Sequence, residues 1–191
     1  MHDHQGQQQA DDEVGAAVEL LQQEVAEIAR HLEHAPDDAE AYFRRGVLLG
    51  QLVEPHRAIE DFDATIRLEP ANAEAYYNRG MAYVHLKDFA PAIQDYTETI
   101  RLDPSHLDAF NNRAASYYEQ GQMEKAIADA DAALSRDPSR ASPYALRAMA
   151  ATQLGLGDRA AADVLKAKEL GFDGHQLDIL IKMAKQRVSP E

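Results

Sequence analysis

Residues 74–83, EAYYNRGMAY, set two tyrosines, an asparagine and an arginine directly before a glycine. Aromatic rings interleaved with Arg and Asn can stack on unpaired bases and bond their edges, the chemistry of single-strand RNA recognition. The same spacing can instead divide one amphipathic helix into a buried and an exposed face. Two histidine pairs, His2 with His4 and His31 with His34, have spacings that could hold a metal weakly. No third or fourth ligand is indicated beside either pair, so surface histidines are the simpler reading. No phosphate-binding glycine loop, nucleophile elbow or zinc-protease His pair is present, and nothing marks a paired acid and base. The chain therefore reads as a non-enzyme without cofactor or metal.

The formal net charge of −14 over 191 residues opposes the base-stacking reading, because phosphate backbones are engaged through an excess of Lys and Arg. The acid is concentrated at the start: residues 1–40 hold 11 Asp or Glu against Arg30 alone. The absence of Cys excludes disulfides, thiolate metal sites and thiol nucleophiles, and fits a reducing cytoplasm. The opening MHDHQGQQQADDE has neither the basic nor the apolar region of a secretory signal. No apolar run approaches the roughly 18 residues of a membrane helix. These features predict a cytoplasmic protein whose partners are neither nucleic acid nor membrane.

The elements that must position these residues repeat. Pro36, Pro70, Pro104 and Pro138 stand at one constant interval, and a period of about 34 residues marks stacked supersecondary units. In each block, apolar or small residues recur at helical spacing in a first helix (Tyr42, Gly46, Leu49; Tyr76, Gly80, Tyr83; Phe110, Ala114, Tyr117). A second helix follows, with Ala58, Ile59, Phe62 and Ile66 matched by Ala92, Ile93, Tyr96 and Ile100. The small residues at Gly46, Gly80, Ala114 and Ala148, and at Ala58, Ala92, Ala126 and Ala160, let paired helices approach closely. Pro70, Pro104 and Pro138 follow second helices, whereas Pro91 and Pro143 fall in first turns, where proline is tolerated. Two columns are constant, Arg45, Arg79, Arg113, Arg147 and Asp61, Asp95, Asp129, Asp163. They read either as a ladder of ligand contacts or, more simply, as a repeated ion pair linking the two helices of each block.

These blocks resemble tetratricopeptide (TPR) repeats, whose pattern is W-x2-L-G-x2-Y, A-x3-F and P over about 34 residues. The resemblance implies an all-α fold, a right-handed α-α superhelix of four repeats at 39–72, 73–106, 107–140 and 141–173, the last divergent. An amphipathic helix at 12–35 precedes them behind a disordered polar tail at 1–11, and a capping helix at 174–188 follows. The resemblance also implies a concave groove for a partner peptide or helix. On this chain the groove positions are Glu40, Phe43, Val47, Glu74, Tyr77, Asn78, Met81, His85, Asp108, Asn111, Asn112, Ala115, Tyr118, Glu119, Met149 and Thr152. Tyr77 and Tyr118 serve equally well as shields of the stack. One TPR subclass grips EEVD tails through Lys, Arg and Asn. The matching positions here hold Phe43, Val47, Asn78, Asp108 and Asn112, so binding of such tails is not expected.

Residues 12–35 carry a stripe of Val14, Val18, Leu21, Val25, Ile28 and Leu32, with Asp11 or Asp12 able to cap its start. The stripe suits a helix that caps the first repeat, as the surviving second helix of a decayed unit with Pro36 in register, or a dimerisation helix. At the other end Leu177, Leu180, Ile181 and Ala184 share a face, which suits a helix covering the last repeat. The leading expectation is a protein-binding adaptor. The alternative is a self-assembling structural protein, a homo-oligomer joined through 12–35 or 174–188 or through the groove.

Overall fold

The computed structural model describes the backbone of residues 2–188 and the side chains of residues 14–187. Among the described residues there are ten α-helices and no strand. They fall into two compact units, residues 1–86 and 87–191. The first holds α1 (His2–His34), α2 (Ala39–Gln51), α3 (Pro55–Leu68) and α4 (Ala73–His85). The second holds α5 (Phe89–Leu102), α6 (Leu107–Glu119), α7 (Met123–Arg136), α8 (Ala141–Gln153), α9 (Gly157–Glu169) and α10 (Gly174–Val188).

In the first unit α2 packs on α1, α3 and α4, and α3 on α4. Ala58 is fully buried and Phe62 nearly so, and both pack with Leu49. Gly46 is small for a visible reason: a Cβ added there would lie 2.8 Å from Phe62 Cε1. The α1 stripe is split. Val25, Ile28 and Leu32 are buried against α2, whereas Val14 is 64% exposed. Helix α1 also begins at His2, upstream of the expected 12–35, so Asp11 and Asp12 lie inside it rather than at its cap. The expected polar tail of 1–11 has no Pro to stop a helix and carries four Gln, a good helix former. Its side chains, including His2 and His4, lie outside the described residues.

In the second unit α6 packs on α5, α7 and α8, while α8 meets α7, α9 and α10. Tyr118, Met123, Ala126, Ile127, Ala150 and Ala151 form one buried cluster. Leu177 and Ala184 of α10 are buried, with Leu177 packed against Ala145 and Ala167.

In three of the four repeats the Arg and Asp columns are seen to meet as bidentate ion pairs. Arg45 donates to Asp61 at 2.7 and 2.6 Å, Arg113 to Asp129 at 2.7 and 2.7 Å, and Arg147 to Asp163 at 2.7 and 2.6 Å. All three aspartates are buried. Hydrogen bonding to Asp61 raises the pKa of Arg45, and bonding to Asp163 does the same for Arg147. The guanidinium groups also reach back to the preceding second helix: Arg79 to Asp63 at 2.6 Å, Arg113 to Thr97 at 2.9 Å, and Arg147 to Asp131. They lie over the ring three residues earlier, 5.6 Å from Tyr42 for Arg45 and 5.3 Å from Tyr144 for Arg147. These constant residues hold the scaffold together.

A further column caps the first helices. The side chains of Asp38, Asn72 and His106 accept from the backbone N–H three residues on, at 2.9, 3.0 and 3.2 Å. Asp38 also receives His31 Nε2 at 2.7 Å, and that bond, followed by the Ala41 N–H, holds its pKa below the ordinary carboxylate value.

Candidate functional site

The first unit contains an open cleft of about 350 Å³. Four of the expected groove residues line it: Val47 from α2 and Asn78, Met81 and His85 from α4. Phe62 and the turn residue Val53 complete its apolar wall. Helical phase explains the convergence, because Asn78, Met81 and His85 follow steps of three and four along α4 and share one face. The lining contains no Lys or Arg. Asn78 Nδ2 donates to the Glu74 carbonyl at 2.8 Å, which fixes the orientation of the amide.

The remaining expected residues of this unit divide. Glu40 and Glu74 are exposed and Tyr77 is half-buried. Phe43 packs against the buried cluster of Val25, Leu49, Ala58 and Phe62, its ring 6.0 Å from that of Phe62. It serves the core of the first repeat, to which α1 contributes Val25.

In the second unit Asp108, Tyr118, Glu119, Met149 and Thr152 are engaged by their own chain. Tyr118 is 3% exposed, inside the core cluster, with Gln153 donating to its hydroxyl at 2.8 Å and the Arg187 guanidinium 5.4 Å from its ring. It belongs to the stack rather than to an open surface, and burial raises its pKa. Glu119 pairs with Arg187 at 3.4 Å and Asp108 with Arg140 at 2.6 Å. Met149 packs against the same core, and the Thr152 hydroxyl donates to the Ala148 carbonyl at 2.7 Å. Asn111, Asn112 and Ala115 are half-buried. Asn111 Oδ1 is buried without a hydrogen-bond partner among the described residues, a desolvation that costs about 1–3 kcal/mol. Among the described residues no group of three metal-ligating side chains occurs, and His31 is turned to Asp38.

A model of the tetratricopeptide repeat matches residues 73–106 and 107–140. Residues 73–140 are two tetratricopeptide repeats, and the all-α fold is that of TPR proteins. No curated protein sequence matches it significantly. Among solved structures, MamA is similar at 26% identity and a TM-score of 0.75, over 76% of this chain and 85% of that one. YrrB, described as a TPR protein with an unusual peptide-binding site, shares the fold at 19% identity and a TM-score of 0.70, over 84% and 82% of the two chains. The second TPR domain of human RPAP3, solved with the HSP70 peptide SGPTIEEVD, is 28% identical with a TM-score of 0.57, over 59% of this chain and 93% of that one. Among the described residues no helix is long and apolar enough to cross a membrane.

Proposed function

We propose that this TPR protein is a non-catalytic adaptor that takes an apolar anchor of a protein partner into the cleft between α2 and α4. The observation that carries this reading is the convergence of Val47, Asn78, Met81 and His85 on one open, cation-free cleft walled by Phe62 and Val53. A cleft of this size suits a Leu, Met or Phe side chain presented by a helix or extended segment, with Met81 adapting to its shape.

A terminal carboxylate would find no cation in this cleft, so the EEVD peptides carried by RPAP3 are not the proposed ligands. The test is selection from a random peptide library on the full chain, followed by calorimetry on wild type and a Met81→Glu variant verified as folded by circular dichroism. Selected peptides should share one large apolar residue and bind the variant at least about tenfold more weakly. Equal binding by both proteins, or micromolar binding of an EEVD peptide, would overturn the proposal.

A further inference from the structure

Helices α1 and α10 are each half a repeat. In α1, Glu27 and Ile28 stand one repeat period before Asp61 and Phe62, as Pro36 does before Pro70. Residues 21–34 therefore have the phase of a second helix. Among the described residues no first helix pairs with it, because the chain before residue 21 continues along α1 to His2 instead of turning back. Helix α10 has the opposite character. Leu177 and Ala184 stand one period after Pro143 and Ala150, and all four are buried. It has the phase of a first helix, and among the described residues no second helix covers it.

Both vacancies are visible as notches. Between α1 and α2 lies one of about 590 Å³, lined by Leu20, Ile28 and Ala41 together with the carboxylates of Glu24, Glu27, Asp38 and Glu40, which outnumber its basic side chains, Arg44 and His31. Between α9 and α10 lies another of about 510 Å³, lined by Ala161, Val164, Leu165 and Ile181 together with Lys185. Leu20 is 66% exposed and Leu165 is 65% exposed, so each notch holds an apolar side chain open to solvent. The charges are opposite. On α10, Asp178 is engaged by Lys168 and Arg187 by Glu119, and Lys182 and Lys185 stand exposed. On the first notch Glu27 and Glu40 stand exposed, and Glu24 is paired with Arg44.

We propose that α10 of one copy docks in the α1–α2 notch of a second copy, while α1 of that copy docks in the α9–α10 notch of the first. The two half-repeats complete each other head to tail. Apolar floors supply the burial, and Lys182 and Lys185 facing Glu24 and Glu27 set the direction and exclude like-end pairing. The contact is heterologous, so each junction leaves a free notch at either end and growth continues past the dimer. It does not depend on the α2–α4 cleft.

Sedimentation velocity on the full chain, from about 1 μM to about 1 mM and at low and high salt, tests this. Wild type should grow with concentration and dissociate as salt rises. Glu27→Lys/Glu40→Lys and Lys182→Glu/Lys185→Glu, each altering exposed side chains, should each weaken association at least about tenfold alone. An equimolar mixture of the two variants should associate again, since one supplies an intact α10 and the other an intact notch. A wild type that stays monomeric throughout, a variant that still self-associates like wild type, or a mixture that fails to associate would each overturn the proposal.

Discussion

The first repeat in the N-terminal unit and the fourth in the C-terminal unit have helices of nearly the same length, yet they distribute volume and charge differently. In the first, Arg45 has one carboxylate, Asp61, and the position 16 residues before it is Ala29. In the fourth, Arg147 has two, Asp163 and Asp131. Gly46 opposes the ring of Phe62 in the first, where the fourth has Ala148 and Val164. The turn between paired helices places Val53 in the left-handed region at φ 58°, where the fourth repeat has Gly155 at φ 72°. One backbone tolerates these exchanges because each is compensated by its own neighbour, so the same substitution should have different effects in the two units.

Charge gives the largest expected contrast. Removing one member of a buried ion pair leaves the other desolvated, and Asp61→Ala should cost about 3 kcal/mol in urea denaturation. Asp163→Ala should cost about half as much, because Asp131 still neutralises Arg147. Equal losses would show that Asp131, 44% exposed as a side chain, does not compensate.

Packing is the next contrast. Gly46→Ala places a methyl 2.8 Å from Phe62 Cε1, and Phe62 is only 2% exposed. Overpacking should outweigh the helix-propensity gain and leave a net loss of about 1–2 kcal/mol. In a Phe62→Val background, copying the fourth repeat, the same change should become stabilising by about 0.5–1 kcal/mol. A loss of similar size in both backgrounds would separate Gly46 from Phe62.

Much of this scaffold is readable in the sequence because its causes are periodic. A constant spacing of Pro, small and aromatic residues marks helix pairs, and the constant Arg and Asp columns read most simply as a linking ion pair. The capping column is harder to see: Asp38, Asn72 and His106 share an acceptor but no residue type. The groove is only half legible. Phase along one helix tells which residues share a face, but not what comes to cover that face. Tyr118 is reachable as a groove position, yet Arg187, from the far end of the chain, lies over its ring. Likewise Phe43 fits the groove phase of α2 but packs against the buried cluster of Val25, Leu49, Ala58 and Phe62. Among the described residues of the N-terminal unit nothing comparable covers Met81, and the cleft stays open.

The turn provides the smallest contrast, and it bears on the cleft. At the positions of Val53 and Gly155 the N–H closes the helix end in the same way, bonding the carbonyl three residues back at 3.1 Å in one and 3.2 Å in the other. A β-branched side chain in the left-handed region is strained by about 1–2 kcal/mol, and Val53 is 69% exposed, so burial offsets little of it. Val53→Gly should therefore stabilise the N-terminal unit by about 1 kcal/mol, whereas Gly155→Val should destabilise the C-terminal one by a similar amount. Because Val53 also lines the cleft, the stabilised variant should bind an apolar-anchored peptide more weakly than wild type. Strain retained at a binding surface would then account for a residue that the fold alone disfavours. Val53→Gly proteins that are more stable and bind equally well would leave the strain without that role.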